Sequence, residues 1–215
     1  MRLYKGFVGA IFVVITASAA YSQTRTVVFN EIMWMGSSVS DRDEWIELRN
    51  TTSDTVDISG WYITDAKGDT IITIPQGEFI LPHDIFLIAR KDSGESKINV
   101  KPDLITSFNL SNDNLQLNLL AGTDTVDVAD DGGTPIAGDK TNKYSMVRRY
   151  HSDPDSFPKA EDGTLESSWF TAVYRAGWDS GATEKGTPGH LEPALLRVVP
   201  SGDTVVFRDT FTVSV

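Results

Sequence analysis

Short stretches of alternating apolar and polar residues, parted by turn chemistry at roughly 8–12 residue intervals, constrain this chain more than anything else. Along Trp45 to Arg49, Ile46 and Leu48 fall on one side, while Trp45, Glu47 and Arg49 fall on the other. Leu115, Leu117 and Leu119 alternate with Gln116 and Asn118. The same reading predicts strands over Thr26 to Trp34, Thr55 to Ile58, Trp61 to Thr64, Thr70 to Ile74, Ile85 to Ala89 and Val126 to Val128. Tyr144 to Arg148 and Trp169 to Tyr174 close the set. Ser59-Gly60, Asp65 to Asp69 and Ala121 to Asp124 are turns, because glycine accepts positive φ and Asp bonds its own backbone. No window carries a sustained apolar stripe of helical period. The expected fold is therefore all-β, a sandwich or a barrel, with two longer loops over 130–143 and 150–168.

Hydrophobic residues make up 40% of the 215, enough for a real core. There is no cysteine, so disulfides, thiolate metal sites and a cysteine nucleophile are excluded. Arg2 and Lys5 form a short basic head before an apolar run from Phe7 to Ala20 and the small residues Ala20 and Ser22. That order is a secretory signal peptide, and the run is shorter than the ~20 residues of a membrane span. Cleavage after Ser22 or Ala20 fits, with Gln23 the expected mature start. The expected location is secreted or cell-surface, with no membrane span in the mature chain. Formal net charge is −11, and losing residues 1–22 removes Arg2 and Lys5 and no acid, leaving −13. A surface of that sign repels phosphate backbones, so nucleic acid is not an expected partner. A boundary falls near Gly186-Thr187-Pro188-Gly189. The expected organisation is a signal peptide over 1–22, a β-sandwich over 23–190, and a linker with the start of a second β domain over 191–215.

Three runs carry a family resemblance: Asn30-Glu31-Ile32-Met33, Glu44-Trp45-Ile46-Glu47-Leu48-Arg49-Asn50, and Val56-Asp57-Ile58-Ser59-Gly60-Trp61-Tyr62-Ile63-Thr64-Asp65. With Leu81-Pro82, Leu110-Ser111-Asn112 and Gly186-Thr187-Pro188-Gly189 in order, the stretch from Val27 to Gly189 resembles the lamin tail domain. The resemblance implies an immunoglobulin-like β-sandwich. In animals such a domain forms the globular tail of nuclear lamins. In bacteria it occurs on secreted and surface proteins, some beside nucleases or phosphoesterases. The family shares no catalytic residues, so none is carried over. The heptad rod of an intermediate filament is absent from this sequence. Residues 196–215 resemble the opening strands of a cohesin-like or immunoglobulin-like secreted domain.

Residues with chemical potential are few. Asp127, Asp130 and Asp131 beside Gly132-Gly133 form a candidate calcium cluster, although their spacing is not that of an EF-hand. No other cofactor is expected. His83, His151 and His190 sit in turn or loop signals, without a second histidine at metal-ligand spacing. No Gly-x-Ser-x-Gly elbow accompanies them. Among five tryptophans, Trp61 is the expected core anchor between Ile58 and Ile63. Trp45 shares a face with Glu47 and Arg49 that is either solvent or a partner surface. Trp34 is placed at a loop rim, and Trp169 and Trp178 over a sandwich edge. The function class that fits is a non-catalytic binding or scaffolding module with a protein or cell-surface glycan ligand. The alternative is an accessory domain of a secreted phosphoesterase or nuclease whose catalytic part lies elsewhere.

Overall fold

The computed structural model describes residues 25–153 and 156–191, with side chains for 25–150 and 160–191. The signal segment and the 192–215 stretch lie outside the described residues. The strands are β1 (Val27–Met33), β2 (Trp45–Asn50), β3 (Val56–Asp57), β4 (Tyr62–Thr64), β5 (Thr70–Thr73), β6 (Phe79–Ile80) and β7 (Ile85–Ala89). After them come β8 (Leu104–Ile105), β9 (Leu117–Ala121), β10 (Asp124–Ala129), β11 (Met146–Arg148), β12 (Tyr150–Asp153), β13 (Ser156–Ala160) and β14 (Trp169–Thr171). A six-stranded sheet runs β14-β11-β1-β2-β7-β8, and a four-stranded sheet runs β10-β9-β4-β5. Pairing is antiparallel except between β7 and β8. No described helix is long and apolar enough to cross a membrane.

The core follows from the register of β1 on β2. Phe29 lies opposite Leu48 and Ile32 opposite Ile46, although Phe29 and Ile32 are three residues apart. A β-bulge between Phe29 and Glu31 takes up the extra residue and keeps both apolar side chains on one face. That face merges with Ile63, Leu117 and Leu119 of the second sheet into one buried cluster. The opposite face of the same two strands carries Glu31 opposite Glu47 and Met33 opposite Trp45, and it is buried too. All seven residues of β1 are buried, so the central strands are covered on both sides.

Several sequence expectations change here. Trp61 is only half-buried, packed against the cluster from the turn before β4, while Ile58 and Ile63 are fully buried. It stands outside the strand, directly after Gly60 at φ +73°. Trp45 holds the interior position instead, 1% exposed, with its ring 6.3 Å from that of Trp178. The Trp45 face is therefore neither solvent nor a partner surface, since residues of the same chain cover it. Trp34 is buried rather than at a rim, and its indole N–H donates to the Ala137 carbonyl at 2.9 Å. The 150–168 stretch is not all loop, for β12 and β13 form a hairpin within it. Alternation also missed β6 and β8, each only two residues long.

Removing a large buried aromatic leaves a cavity that the surroundings fill only in part. Trp45→Ala should cost about 3–5 kcal/mol of unfolding free energy. Trp61→Ala, at a residue only partly buried, should cost markedly less. Denaturant melts of both variants check the ranking, and equal losses would contradict it.

Candidate functional site

The chemistry-bearing side chains gather on the covered outer face of the six-stranded sheet. Glu31 and Glu47 lie directly opposite each other on β1 and β2, both fully buried. Residues 184–189 cross this face as an irregular strap. Glu31 accepts the Thr187 backbone N–H at 3.0 Å and the Thr187 hydroxyl at 2.8 Å, and it also accepts the Ser145 hydroxyl. Glu47 accepts the Gly189 N–H at 2.9 Å and the Asn30 amide at 2.5 Å. The Tyr150 hydroxyl continues the network to the Asn30 amide oxygen at 2.6 Å. Gly186 has φ +141°, and a Cβ there would meet Glu31 Oε1 and Ser145 Oγ, each at 2.7 Å. Only glycine lets the strap come this close.

Burial, reinforced by the Glu31 carboxylate beside it, holds the Glu47 carboxyl well above the ordinary carboxylate range, and Arg49 opposes the shift. At the strap's start, Glu184 accepts the Ser38 N–H at 2.7 Å and the Thr183 N–H at 2.8 Å, fastening the loop after β1. That loop is further held by Asp43, which accepts from Ser37 Oγ at 2.5 Å and pairs with Lys91 at 2.9 Å. Glu44 pairs with Arg90 at 2.7 Å and accepts the Leu110 N–H at 3.1 Å. The acidic run at 41–44 is thus half interior.

A second buried ionic centre sits where β10 meets β1 and β11. Arg148 and Asp127 are both fully buried and form two hydrogen bonds, at 3.1 and 3.2 Å. Asp127 also accepts the Phe29 N–H at 3.0 Å and pairs with Arg25 at 3.2 Å. Arg148 lies 4.8 Å from the Trp169 ring centroid and donates to the Glu161 carbonyl at 2.5 Å. Gly163 fits beneath it because a side chain there would run into the Val128 carbonyl and the guanidinium.

The three aspartates of the calcium expectation have separate tasks. Asp127 is committed to the two arginines. Asp130, buried and with φ +68°, accepts the Asp131 and Ile136 N–H groups at 2.8 Å each and shapes its loop. Burial raises the Asp130 carboxyl to about 6. Asp131 is exposed and accepts the Gly133 N–H at 2.8 Å. No three acidic or histidine side chains among the described residues are grouped to hold a metal ion. His83 occupies a turn at φ +59° and His190 is exposed, whereas the side chain of His151 lies outside the described ones. An open groove of about 550 Å³ runs beside β14, lined by Ile136, Arg149, Glu166, Trp169, Phe170 and Thr171 among others.

The architecture and this strap can be set beside known proteins. The profile of the Lamin Tail Domain matches residues 20–138. The chain belongs to the lamin tail domain family. The matched stretch ends before β11, yet β11 sits between β1 and β14 and the strap lies on Glu31 and Glu47. No curated protein matches the chain. Among solved structures it is similar to a DUF4876 family protein from Bacteroides thetaiotaomicron, with 11% identity and a TM-score of 0.48. That similarity covers 77% of this chain and 76% of the other. This lamin tail domain is an all-β, immunoglobulin-like sandwich, and its family is one of non-catalytic domains.

Sequence reasoning passed over Glu31, Glu47 and Arg148. One signal was available: Glu31 stands inside Val27-Val28-Phe29-Asn30-Glu31-Ile32-Met33, where apolar neighbours on both faces imply a buried carboxylate.

Two outcomes follow. Glu47 has a folded-state pKa above its unfolded value. The stability linked to it is complete below the unfolded carboxylate pKa and is lost as pH rises through the folded one. Thermal melts across pH should show that loss, and Glu47→Gln should flatten it. Asp127→Ala should cost about 3–5 kcal/mol, because Arg148 would remain buried without its partner carboxylate. A denaturant melt shifted by less than about 1 kcal/mol would show that the pair does not anchor β10 to the sheet.

Proposed function

We propose that this chain is a non-catalytic binding or scaffolding module, exported from the cell or held on its surface, with a protein or cell-surface glycan as ligand. The observation that carries the reading is the commitment of its buried acids. Glu31, Glu47, Asp127 and Glu184 all accept hydrogen bonds from the chain's own strap, strands and loops. Catalysis needs a nucleophile, a base and a donor converging on free space, and these groups converge on backbone instead. Membership of a non-catalytic family supports the same conclusion. The order of charge, apolar run and small residues over 1–22 supports export, with the mature chain starting at Gln23 or Tyr21. No bound metal or other cofactor enters this reading.

The chain recovered from cells should be retained saturably on envelope glycans or envelope proteins and should leave a phosphodiester substrate intact. Phosphodiester turnover that disappears in Asp130→Ala would overturn the reading. A mass beginning at Met1 in protein kept inside the cell would overturn the export half of it.

A further inference from the structure

The strap over the outer face of the six-stranded sheet is held differently in its two halves. The first half is pinned by backbone. The Lys185 N–H donates to the Lys143 carbonyl, the Lys185 carbonyl accepts the Ser145 N–H, and the Gly186 N–H donates to the Tyr174 carbonyl. The Gly186 carbonyl accepts the Ala176 N–H and, at 2.9 Å, the Trp178 indole N–H. Beyond Gly186 the attachment changes. Among the described residues, every hydrogen bond that ties 187–190 to the sheet ends on a carboxyl group. The Thr187 N–H and hydroxyl donate to Glu31, and the Gly189 N–H donates to Glu47. The His190 N–H closes back on the Thr187 carbonyl and reaches no strand. Glycines with positive φ mark the stretch, Gly186 at +141° and Gly189 at +74°. Thr187 is buried, whereas Gly189 and His190 are exposed. Glu47, itself without exposure, is therefore bonded directly to a residue at the surface.

We propose that residues 187–190 form a proton-controlled flap, closed while Glu47 is neutral beside Glu31 and lifted, without unfolding of the sandwich, once both carboxyls are charged. Glu31 and Glu47 stand directly opposite each other on neighbouring strands, so a second negative charge there is repelled by the first and also loses its water. Lifting the flap breaks bonds from three donors only, Thr187 N–H, Thr187 O–H and Gly189 N–H, and lets water reach Glu47. Burial and the Glu31 carboxylate hold the Glu47 carboxyl well above the ordinary carboxylate range, which agrees with this geometry. Arg49, on the same strand, opposes that shift and lies 4.5 Å from the Tyr150 ring centroid. Tyr150 reaches Glu47 through Asn30. From β7, Leu87 stands opposite Glu47, and Asp103 accepts the Leu87 N–H at 2.7 Å. On the strap, Glu184 accepts the Ser38 and Thr183 N–H groups, Lys185 lies over the Tyr144 ring, and His190 is exposed at the end of the flap. Lys101 follows Val100, whose side chain lies beside Gly189. The Glu47 carboxyl is raised in the closed form, so closure is complete below the ordinary carboxylate range and is lost as pH rises toward the raised value. One proton released on opening changes the opening constant by about tenfold per pH unit within that window.

Amide hydrogen exchange of the full chain, resolved by residue with NMR and corrected for the intrinsic rate at each pH, tests this. The Thr187 and Gly189 amides should be less protected than Ile46 and Leu48 of β2, and their exchange should not respond to low urea, as for a local opening. Their protection should fall as pH rises, by up to about tenfold per unit. Protection equal to that of Ile46 and Leu48, with the same urea dependence, would show that the strap leaves only when the sandwich unfolds and overturns the proposal. Protection independent of pH overturns it as well. Glu47→Gln should abolish the pH dependence, and a slope that survives overturns the assignment to Glu47. His190→Gln should leave the slope in place, and a slope lost there would transfer the proton to the histidine and overturn the proposal. Should Glu47→Gln fail to fold, Glu31→Gln removes the like charge and should make the total fall in protection smaller. An unchanged fall in that variant overturns the role of the carboxyl pair.

Discussion

Two buried carboxylates, directly opposite each other on the covered face of a sheet, determine how the rest of this sandwich must close. Glu31 and Glu47 would each lose hydration at a cost of several kcal/mol if nothing replaced it. The replacement is a backbone strap that brings the Thr187 and Gly189 N–H groups, the Thr187 hydroxyl and the Ser145 hydroxyl to the carboxyl oxygens. The strap must approach closely, which is why Gly186 adopts a conformation that a side chain would block. Once in place it brings Trp178 against Trp45, adding apolar burial to hydrogen bonding. A strip with little regular structure thereby serves as a third layer over the central strands.

The Asp127–Arg148 pair does the corresponding work at the other end. It ties β10 of the smaller sheet to β11 of the larger, and it takes in the start of β1 through the Phe29 N–H. Trp169 lies against the guanidinium and donates its indole N–H to the Gly163 carbonyl, which holds the loop after β13. Both centres join residues far apart in sequence, Glu31 to Thr187 and Asp127 to Arg148. The family profile stops at residue 138, but the folded unit does not, because the partners of Glu31, Glu47 and Asp127 lie beyond it.

This arrangement leaves function to the surface. The carboxylates Glu31, Glu47 and Asp127 are interior and hydrogen-bonded to the chain itself, while the exposed large apolar residues include Phe79, Leu81, Ile105, Leu165, Val173 and Tyr174. A module built in this way offers faces and edges for recognition, and its rigidity comes from the buried centres.

By itself the sequence determined the fold class and most strand positions, because alternation at period 2 is a local property of a chain that lies between two environments. Ile85 to Ala89 was legible to the residue, and so were the turns at Gly60 and Gly68, where backbone chemistry is local as well. The resemblance carried in Glu44 to Asn50 and Val56 to Asp65 pointed to the family that the profile identified. Only the tertiary structure decided which face of β2 meets solvent, and the answer was neither. Alternation reports that two faces differ in polarity, and it cannot say that the polar one is covered by a segment some 140 residues away. The same limit misplaced Trp45 and Trp61, whose burial depends on which distant residues arrive. It also made Asp127 look like an exposed loop ligand beside Asp130 and Asp131. Its role comes from Arg148, and that partnership exists only once β10 and β11 have been folded together.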